Sequence, residues 1–181
     1  MKTSTQTTQY HIELLSASHY EAFYELIQNN IHRLEDFFAG IVSKTTTLKT
    51  TQEYCTSVEI NIKNKSYFPY VIIETQTDKL VGLLDVKNIE WSVPKAELGA
   101  FIDANHEGKG IVRYLGNELI QQIVTKHKFK KLYCRAAARN IRSIRVVKQL
   151  GFELEGTIRC DYRTTKGELV DLNYYGKVFD N

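Results

Sequence analysis

"ELGAFIDANHEGKGIVRYLGNELI", residues 97–120, runs from a strand through a glycine turn into a helix without a break. Residues 96–103 read as extended, and Ile111, Leu115, Leu119 and Ile123 then recur at intervals of four, which gives a helix one apolar stripe. Between them "EGKG" (107–110) sets two glycines around a lysine. Such a turn gathers unpaired backbone N–H groups and the positive end of the helix dipole at one point, an anion site suited to phosphate. Two common phosphate loops do not fit it. A Walker A loop needs Gly at 103 and Ser or Thr at 110, where Asp103 and Gly110 stand. A dinucleotide fingerprint needs Gly at 113, where Arg113 stands, and the preceding strands do not read as a first βαβ unit.

Upstream of the turn, residues 67–75, 80–91 and 96–103 read as three strands with tight connections, an antiparallel meander. Before them lie an edge strand over 10–15 and a helix carrying Phe23, Leu26 and Ile27, opened by the capping-box spacing "SHYE" (18–21). A second such spacing, "TTQE" (50–53), opens a helix ending near Lys65, and the segment between, 32–51, reads largely as a loop of the kind that carries specificity. Downstream come a strand over 130–137, a helix from Ile141 to Leu150 with Gly151 as its C-cap, and a hairpin joined at Lys166 and Gly167. No repeat or linker divides the chain, so the expectation is one domain, 1–181.

Composition sets the class. With 24 basic and 21 acidic residues the net charge is +3, too small and too evenly spread to indicate nucleic acid, and "KHKFKK" (126–131) reads as the solvated end of a helix. Cys55, Cys134 and Cys160 are odd in number and form no CxxC pair, and the five histidines have no metal spacing, so reduced thiols and no metal are expected. The N-terminus "MKTSTQTTQY" lacks an apolar signal core, and no apolar run approaches the roughly 20 residues of a bilayer span. The expectation is a soluble, cytoplasmic protein that engages neither membrane nor nucleic acid.

The stretch "ELGAFIDANHEGKGIVRYL" followed by "NIRSIRVVKQLGFELEGTIR" (140–159) resembles the Gcn5-related N-acetyltransferases, in particular the bacterial branch that acetylates the N-terminal residue of ribosomal proteins. The resemblance covers nearly the whole chain. It implies an α/β fold with a mixed, mostly antiparallel sheet of about seven strands, splayed in the middle, with helices on both faces. It also implies acetyl-CoA as co-substrate, held by the glycine turn through Glu107, Gly108, Lys109, Gly110, Ile111, Val112 and Arg113. The backbone of Phe101, Ile102 and Asp103 and the side chain of Asn140 are then implied as partners of the pantetheine arm. The Tyr-rich last strand, "NYYGKVF", is a candidate for pairing across a homodimer, as in relatives. Two residues depart from the family pattern: Glu107 replaces the usual Gln or Arg, and Val112 a small residue. A carboxylate beside a pyrophosphate is repulsive; the expectation is that Glu107 points to solvent while Lys109 and Arg113 offset it.

Acetyl transfer from a thioester needs a neutral amine, a stabilised oxyanion and a protonated or hydrogen-bonded leaving thiolate. A lysine amine, with a pKa of about 10.4, is almost wholly charged at neutral pH, whereas an α-amine at about 7.7–8.0 is already partly free and asks little of a base. The tyrosine that many relatives use as acid has no counterpart here, since Val146 and Val147 stand at its place. By resemblance to the ribosomal-protein branch, Ser143 of "NIRS" takes that role. The branch's glutamate base falls at Tyr162, with Asp161 one place away on the opposite strand face, so Glu97, acting through water, is the preferred base. His32, Arg33 and Phe37 are candidates for the substrate cleft. Three functions stay open: transfer to a protein α-amine, transfer to a small amine such as a polyamine or aminoglycoside, and coenzyme A sensing without turnover.

Overall fold

The computed structural model describes residues 9–180, so the N-terminal stretch read for an absent signal core lies, but for its last two residues, outside the described part. Seven strands form one sheet: β1 (Tyr10–Leu14), β2 (Phe68–Glu74), β3 (Lys79–Glu90), β4 (Lys95–Ile102), β5 (Lys131–Ala137), β6 (Glu153–Arg163) and β7 (Leu169–Val178). They lie in the order β1-β2-β3-β4-β5-β7-β6, and every pairing is antiparallel except β4 with β5. The meander of residues 67–103 and the hairpin around Gly167, whose φ of +83° suits a glycine turn, are as expected.

Helices cover both faces. On one, α1 (Tyr20–Leu34), the short α2 (Ala39–Val42) and α3 (Leu48–Lys63) bury Phe23, Leu26, Ile27, Tyr54 and Val58 against Val71, Leu83 and Phe101 of the sheet. On the other, α4 (Ile111–His127) packs its Ile111, Leu115, Leu119 and Ile123 stripe, with Val147 and Leu150 from the region of α5 (Ile141–Gln149), onto Leu84, Val86, Leu98 and Leu132. All four residues of that stripe are buried, as their spacing requires.

Two helix starts differ from the sequence reading. The first helical run begins with a 3₁₀ turn, Ala17–His19, where the Ser16 N–H donates to His19 Nδ1 at 3.0 Å. The α3 box is Thr47 with Thr50, each backbone N–H donating to the other's hydroxyl at 3.0 and 3.1 Å. In both, a histidine or threonine does at the third position what the spacing argument assigned to glutamate. The strand order brings another correction. β7 lies between β5 and β6, so its backbone is already paired on both sides and "NYYGKVF" offers no edge for a dimer; the edge strands are β1 and β6, the latter eleven residues long.

Candidate active site

The sheet opens where β4 leaves β5. These strands pair only between Lys95–Glu97 and Lys131–Tyr133. Beyond that point β4 continues on β3 to Ile102 and β5 continues on β7 to Ala137, so the two halves diverge. Backbone N–H and C=O groups on the gap side of residues 98–102 have lost their sheet partner, which leaves them for an extended ligand.

The glycine turn lies at the head of this gap. Gly108 and Gly110 take φ of +75° and +74°, and Gly110 starts α4 with no side chain capping it. The N–H groups of the first turn of α4 are therefore open to an anion. Glu107 does not point to solvent. Its carboxylate is gripped by Arg33 of α1, through Nη2, and by Arg142 of α5, whose Nη1 donates at 2.8 Å. Lys109 and Arg113 are both exposed, and Lys109 also acts on Glu74.

Arg33 thus lies against the glycine turn and is not among the residues lining the cleft described below. Its Nη1 also donates to Asn30 Oδ1 at 2.7 Å and to the Ile102 carbonyl at 3.2 Å. His32, beside it, is exposed and does not line the cleft described below. Asn30, only 2% exposed, went unnoticed in the sequence. Its amide donates to the Leu26 carbonyl at 2.9 Å and Asp103 Oδ2 at 3.2 Å, and its Oδ1 also accepts the Ala104 N–H at 3.1 Å. The signal was there: Phe23, Leu26, Ile27, Asn30 and Leu34 are the buried positions of α1, and one of them is polar. Burial works to raise the Asp103 carboxyl, but the Asn105 N–H, Asn30 and His106 outweigh it and hold it below the usual range.

A cleft of about 400 Å³ opens between the α1–α2 connection, α3 and the strands β2 and β3; Phe37, Phe38, Lys44, Tyr54, Tyr67, Asp85 and Lys87 are among its lining residues. Asp85 is 2% exposed. Lys87 Nζ donates to its two oxygens at 3.3 and 3.4 Å, and Tyr67 donates to Oδ2 at 3.3 Å. The Tyr54 and Tyr67 hydroxyls are 3.4 Å apart. Burial pushes both phenols well up, so they remain protonated donors. Phe37 reaches over the gap and stacks on Tyr162 of β6, ring centroids 5.5 Å apart, while Thr165 donates to Asp36 at 2.8 Å. These contacts carry the α1–α2 connection across to the β6–β7 hairpin and roof the place where the strands part. Asp161 faces elsewhere, accepting from Tyr174 at 2.7 Å.

Glu97, 5% exposed, is held at the branch point of the sheet. Its Oε2 accepts from Asn88 at 2.6 Å and lies 2.9 Å from Arg135 Nη2. Asn88 is placed by an irregularity in β3 between Lys87 and Glu90, where it adopts φ of +48°, a conformation asparagine tolerates. Burial works against the charge of Arg135, but the Glu97 carboxylate outweighs it and raises the guanidinium pKa. On the β5 side, Asn140 caps α5, its Oδ1 accepting the Ser143 N–H at 3.1 Å. Ser143 is half-buried, and among the described residues its hydroxyl has no hydrogen-bond partner. The gap therefore has a glycine turn at its head, carboxylates on the β4 side, and an amide and a hydroxyl on the β5 side. No group of three or more His, Cys, Asp or Glu among the described residues is placed to hold a metal.

Residues 11–153 match the family model described as an acetyltransferase (GNAT) domain. The chain is 30% identical over 103 residues to an uncharacterized N-acetyltransferase, p20, of Bacillus licheniformis, a match spanning 57% of either chain. It is 24% identical to the ribosomal-protein-serine acetyltransferase of Escherichia coli over 94% of this chain and 93% of that one. To the spermidine N(1)-acetyltransferase of Vibrio cholerae it is 28% identical over 47% of this chain and 49% of that one. Two solved structures share the fold with a TM-score of 0.87 and 20% identity. They are the ribosomal-protein-S5-alanine acetyltransferase of Vibrio fischeri, covering 96% of this chain and 94% of that one, and a ribosomal L7/L12 α-N-protein acetyltransferase with coenzyme A, covering 96% of both. The splayed sheet, the open glycine turn and the match over residues 11–153 agree: the chain belongs to the GNAT acetyltransferase family and carries its N-acetyltransferase domain, with acetyl-CoA as the acyl donor.

Proposed function

We propose that the protein transfers acetyl from acetyl-CoA, by direct attack, to the α-amine of a protein chain, a ribosomal protein being the acceptor class that the relative matched over most of the chain suggests. The observation that carries this reading is the charge of the cleft. Its ionisable lining, phenols aside, is Lys44, Lys87 and Asp85, and Asp85 is already paired with Lys87. A polyamine would bring several positive charges to a surface holding two lysines, an unfavourable match. A peptide N-terminus brings one ammonium, with carbonyls and the next side chains to meet the lysines. In sequence, the polyamine relatives align over about half the chain or less and the ribosomal-protein-serine relative over 94% of it, whereas in fold a spermidine N-acetyltransferase also covers 94% of this chain.

In this reading the open N–H groups after Gly108 hold the diphosphate, and the gap-side backbone of Phe101, Ile102 and Asp103 holds the pantetheine arm. Asn140 spends its Oδ1 on the helix cap and keeps its NH₂ for the same arm. The Ser143 hydroxyl, unpartnered among the described residues, donates to the departing thiolate. Glu97 keeps Arg135 and Asn88 in place where the strands separate. The test is thiol release from acetyl-CoA with a Ser- or Ala-starting peptide, the same peptide with a blocked N-terminus, spermidine and an aminoglycoside. Release with the free peptide alone is expected, and release with spermidine alone would refute the acceptor assignment.

A further inference from the structure

The geometry points to Asp85 as the group that receives the acceptor's ammonium and takes its proton, with Lys87 occupying that place until the acceptor arrives; this rests on the direct-attack reading above. Position is the first reason. Asp85 pairs with Gly99, two residues past the last β4–β5 pair at Glu97. Any side chain at Gly99 would collide with Asp85 Oδ1, so the carboxylate lies across the bare backbone of β4 beside the gap. It also lines the acceptor cleft. An amine held there would lie between the cleft and whatever thioester is paired along β4.

The manner in which the two buried carboxylates are held separates their roles. Glu97 is gripped at 2.6 and 2.9 Å. Asp85 accepts three bonds of 3.3 to 3.4 Å, all longer than the usual N–H···O distance of about 2.9–3.0 Å. Its cationic partner is a lysine ammonium, also 5.4 Å from the centre of the Phe38 ring. An ammonium between a buried carboxylate and an aromatic face is the chemistry a protonated acceptor presents. Lys87 has a flexible stem and a partly exposed side chain, so it has a route to water when displaced. Tyr67, backed by Tyr54, keeps Oδ2 oriented during the exchange.

The proton accounting closes without a further reactant. The acceptor R–NH₃⁺ gives one proton to the Asp85 carboxylate, and the amine nitrogen attacks the thioester carbon. Collapse of the adduct breaks the C–S bond, the second nitrogen proton passes to the leaving thiolate, and Asp85 releases its proton to water. The sum is R–NH₃⁺ and acetyl-CoA giving the acetamide, coenzyme A thiol and H⁺.

The test compares wild type, Asp85→Asn and Lys87→Gln on whichever acceptor of the panel the wild type turns over. Asp85→Asn should lower kcat/KM at neutral pH by about a hundredfold or more, with coenzyme A affinity unchanged, and the loss should shrink above about pH 8, where an α-amine is neutral without help. Lys87→Gln, which removes the resident ammonium, should lower the acceptor KM several-fold. Retention of kcat/KM in Asp85→Asn to within about threefold, or a loss equal at every pH, overturns the assignment. A second readout needs no turnover: binding of each amine and its N-acetylated twin to the coenzyme A-loaded protein at about pH 6.5, below the α-amine pKa of about 7.7–8.0. Wild type should prefer the charged form and Asp85→Asn should not. Equal binding of the two forms of every acceptor overturns Asp85, whereas an Asp85-dependent preference seen only with spermidine upholds it and sinks the α-amine reading.

Discussion

Glu107 stands 2.8 Å from Arg142, carboxylate against guanidinium, and the same carboxylate holds Arg33 on its other oxygen. An acidic residue in the glycine turn thereby ties α1 to α5 across the head of the gap and occupies two arginines from other elements. Arg33 does not depend on Glu107 for its position, because Asn30 and the Ile102 carbonyl hold it as well.

Glu107→Gln should therefore tighten coenzyme A. It removes a negative charge beside the diphosphate and frees Arg33 and Arg142 to face it. Partly exposed pairs of this kind are worth about 0.2–1 kcal/mol each, so the dissociation constant should fall roughly three- to tenfold. Titration calorimetry at two ionic strengths checks this, since the gain must shrink as salt rises. Arg33→Gln should move the affinity the other way.

Asn30 makes a different prediction, since it is buried and its amide serves Leu26, Asp103, Ala104 and Arg33 together. Asn30→Ala leaves the Ala104 N–H and an Asp103 oxygen without this partner at the start of the turn. Loss of a buried hub of this kind costs on the order of 2–3 kcal/mol, read as a lower urea midpoint. The coenzyme A dissociation constant should rise with it, and Asn30→Asp, which sets a buried carboxylate oxygen against the Leu26 carbonyl and the Asp103 carboxylate where the amide donated, should lose at least as much.

The sequence shows the fold where the information is local. The Ile111, Leu115, Leu119, Ile123 stripe, the three strands before the turn and the glycine at 151 with φ of +82° were all readable, because periodicity and backbone freedom act within a few residues. What was misread is what the chain assembles from afar. Glu107 meets partners 74 and 35 residues away, while a local reading offered only Lys109 and Arg113. The internal position of β7 could not be seen either, since a strand's own alternation is the same at the edge and inside. In sequence Asp85 is one polar residue among several in "LVGLLDVKNIE"; only the register against Gly99 places it at the gap.

His127 sets an acid limit on stability. It lies among Phe68, Trp91 and Phe129, with ring centroids 4.7 to 6.0 Å away, and its buried Nε2 has no hydrogen-bond partner among the described residues. Burial first, then Lys126 and Lys65, lowers its pKa below 6.5. Because the folded pKa lies below the unfolded one, the unfolded chain binds more protons in the window beneath 6.5, and stability must fall as the pH drops through it. His127→Phe removes that titration and keeps an aromatic ring. Its urea midpoint should vary less than that of wild type between about pH 7 and 5, and an unchanged pH slope would show that other groups carry the acid sensitivity.

Gly99→Ala separates the space at the branch point from the charge there. The residue's φ is not in the left-handed region, so the backbone itself tolerates alanine. The collision is with side chains, Asp85 Oδ1 and Lys87 Nζ, and the nearest way to relieve it is to push both into the cleft. Overpacking of this sort typically costs about 1–3 kcal/mol of stability. The acceptor side should suffer most: kcat/KM for the amine falls while coenzyme A, bound through the turn and the far end of β4, keeps its affinity. Both constants measured on one preparation decide it. Equal losses would mean that the methyl group deforms β4 as a whole, whereas a loss confined to the acceptor would locate the effect at the Asp85 carboxylate.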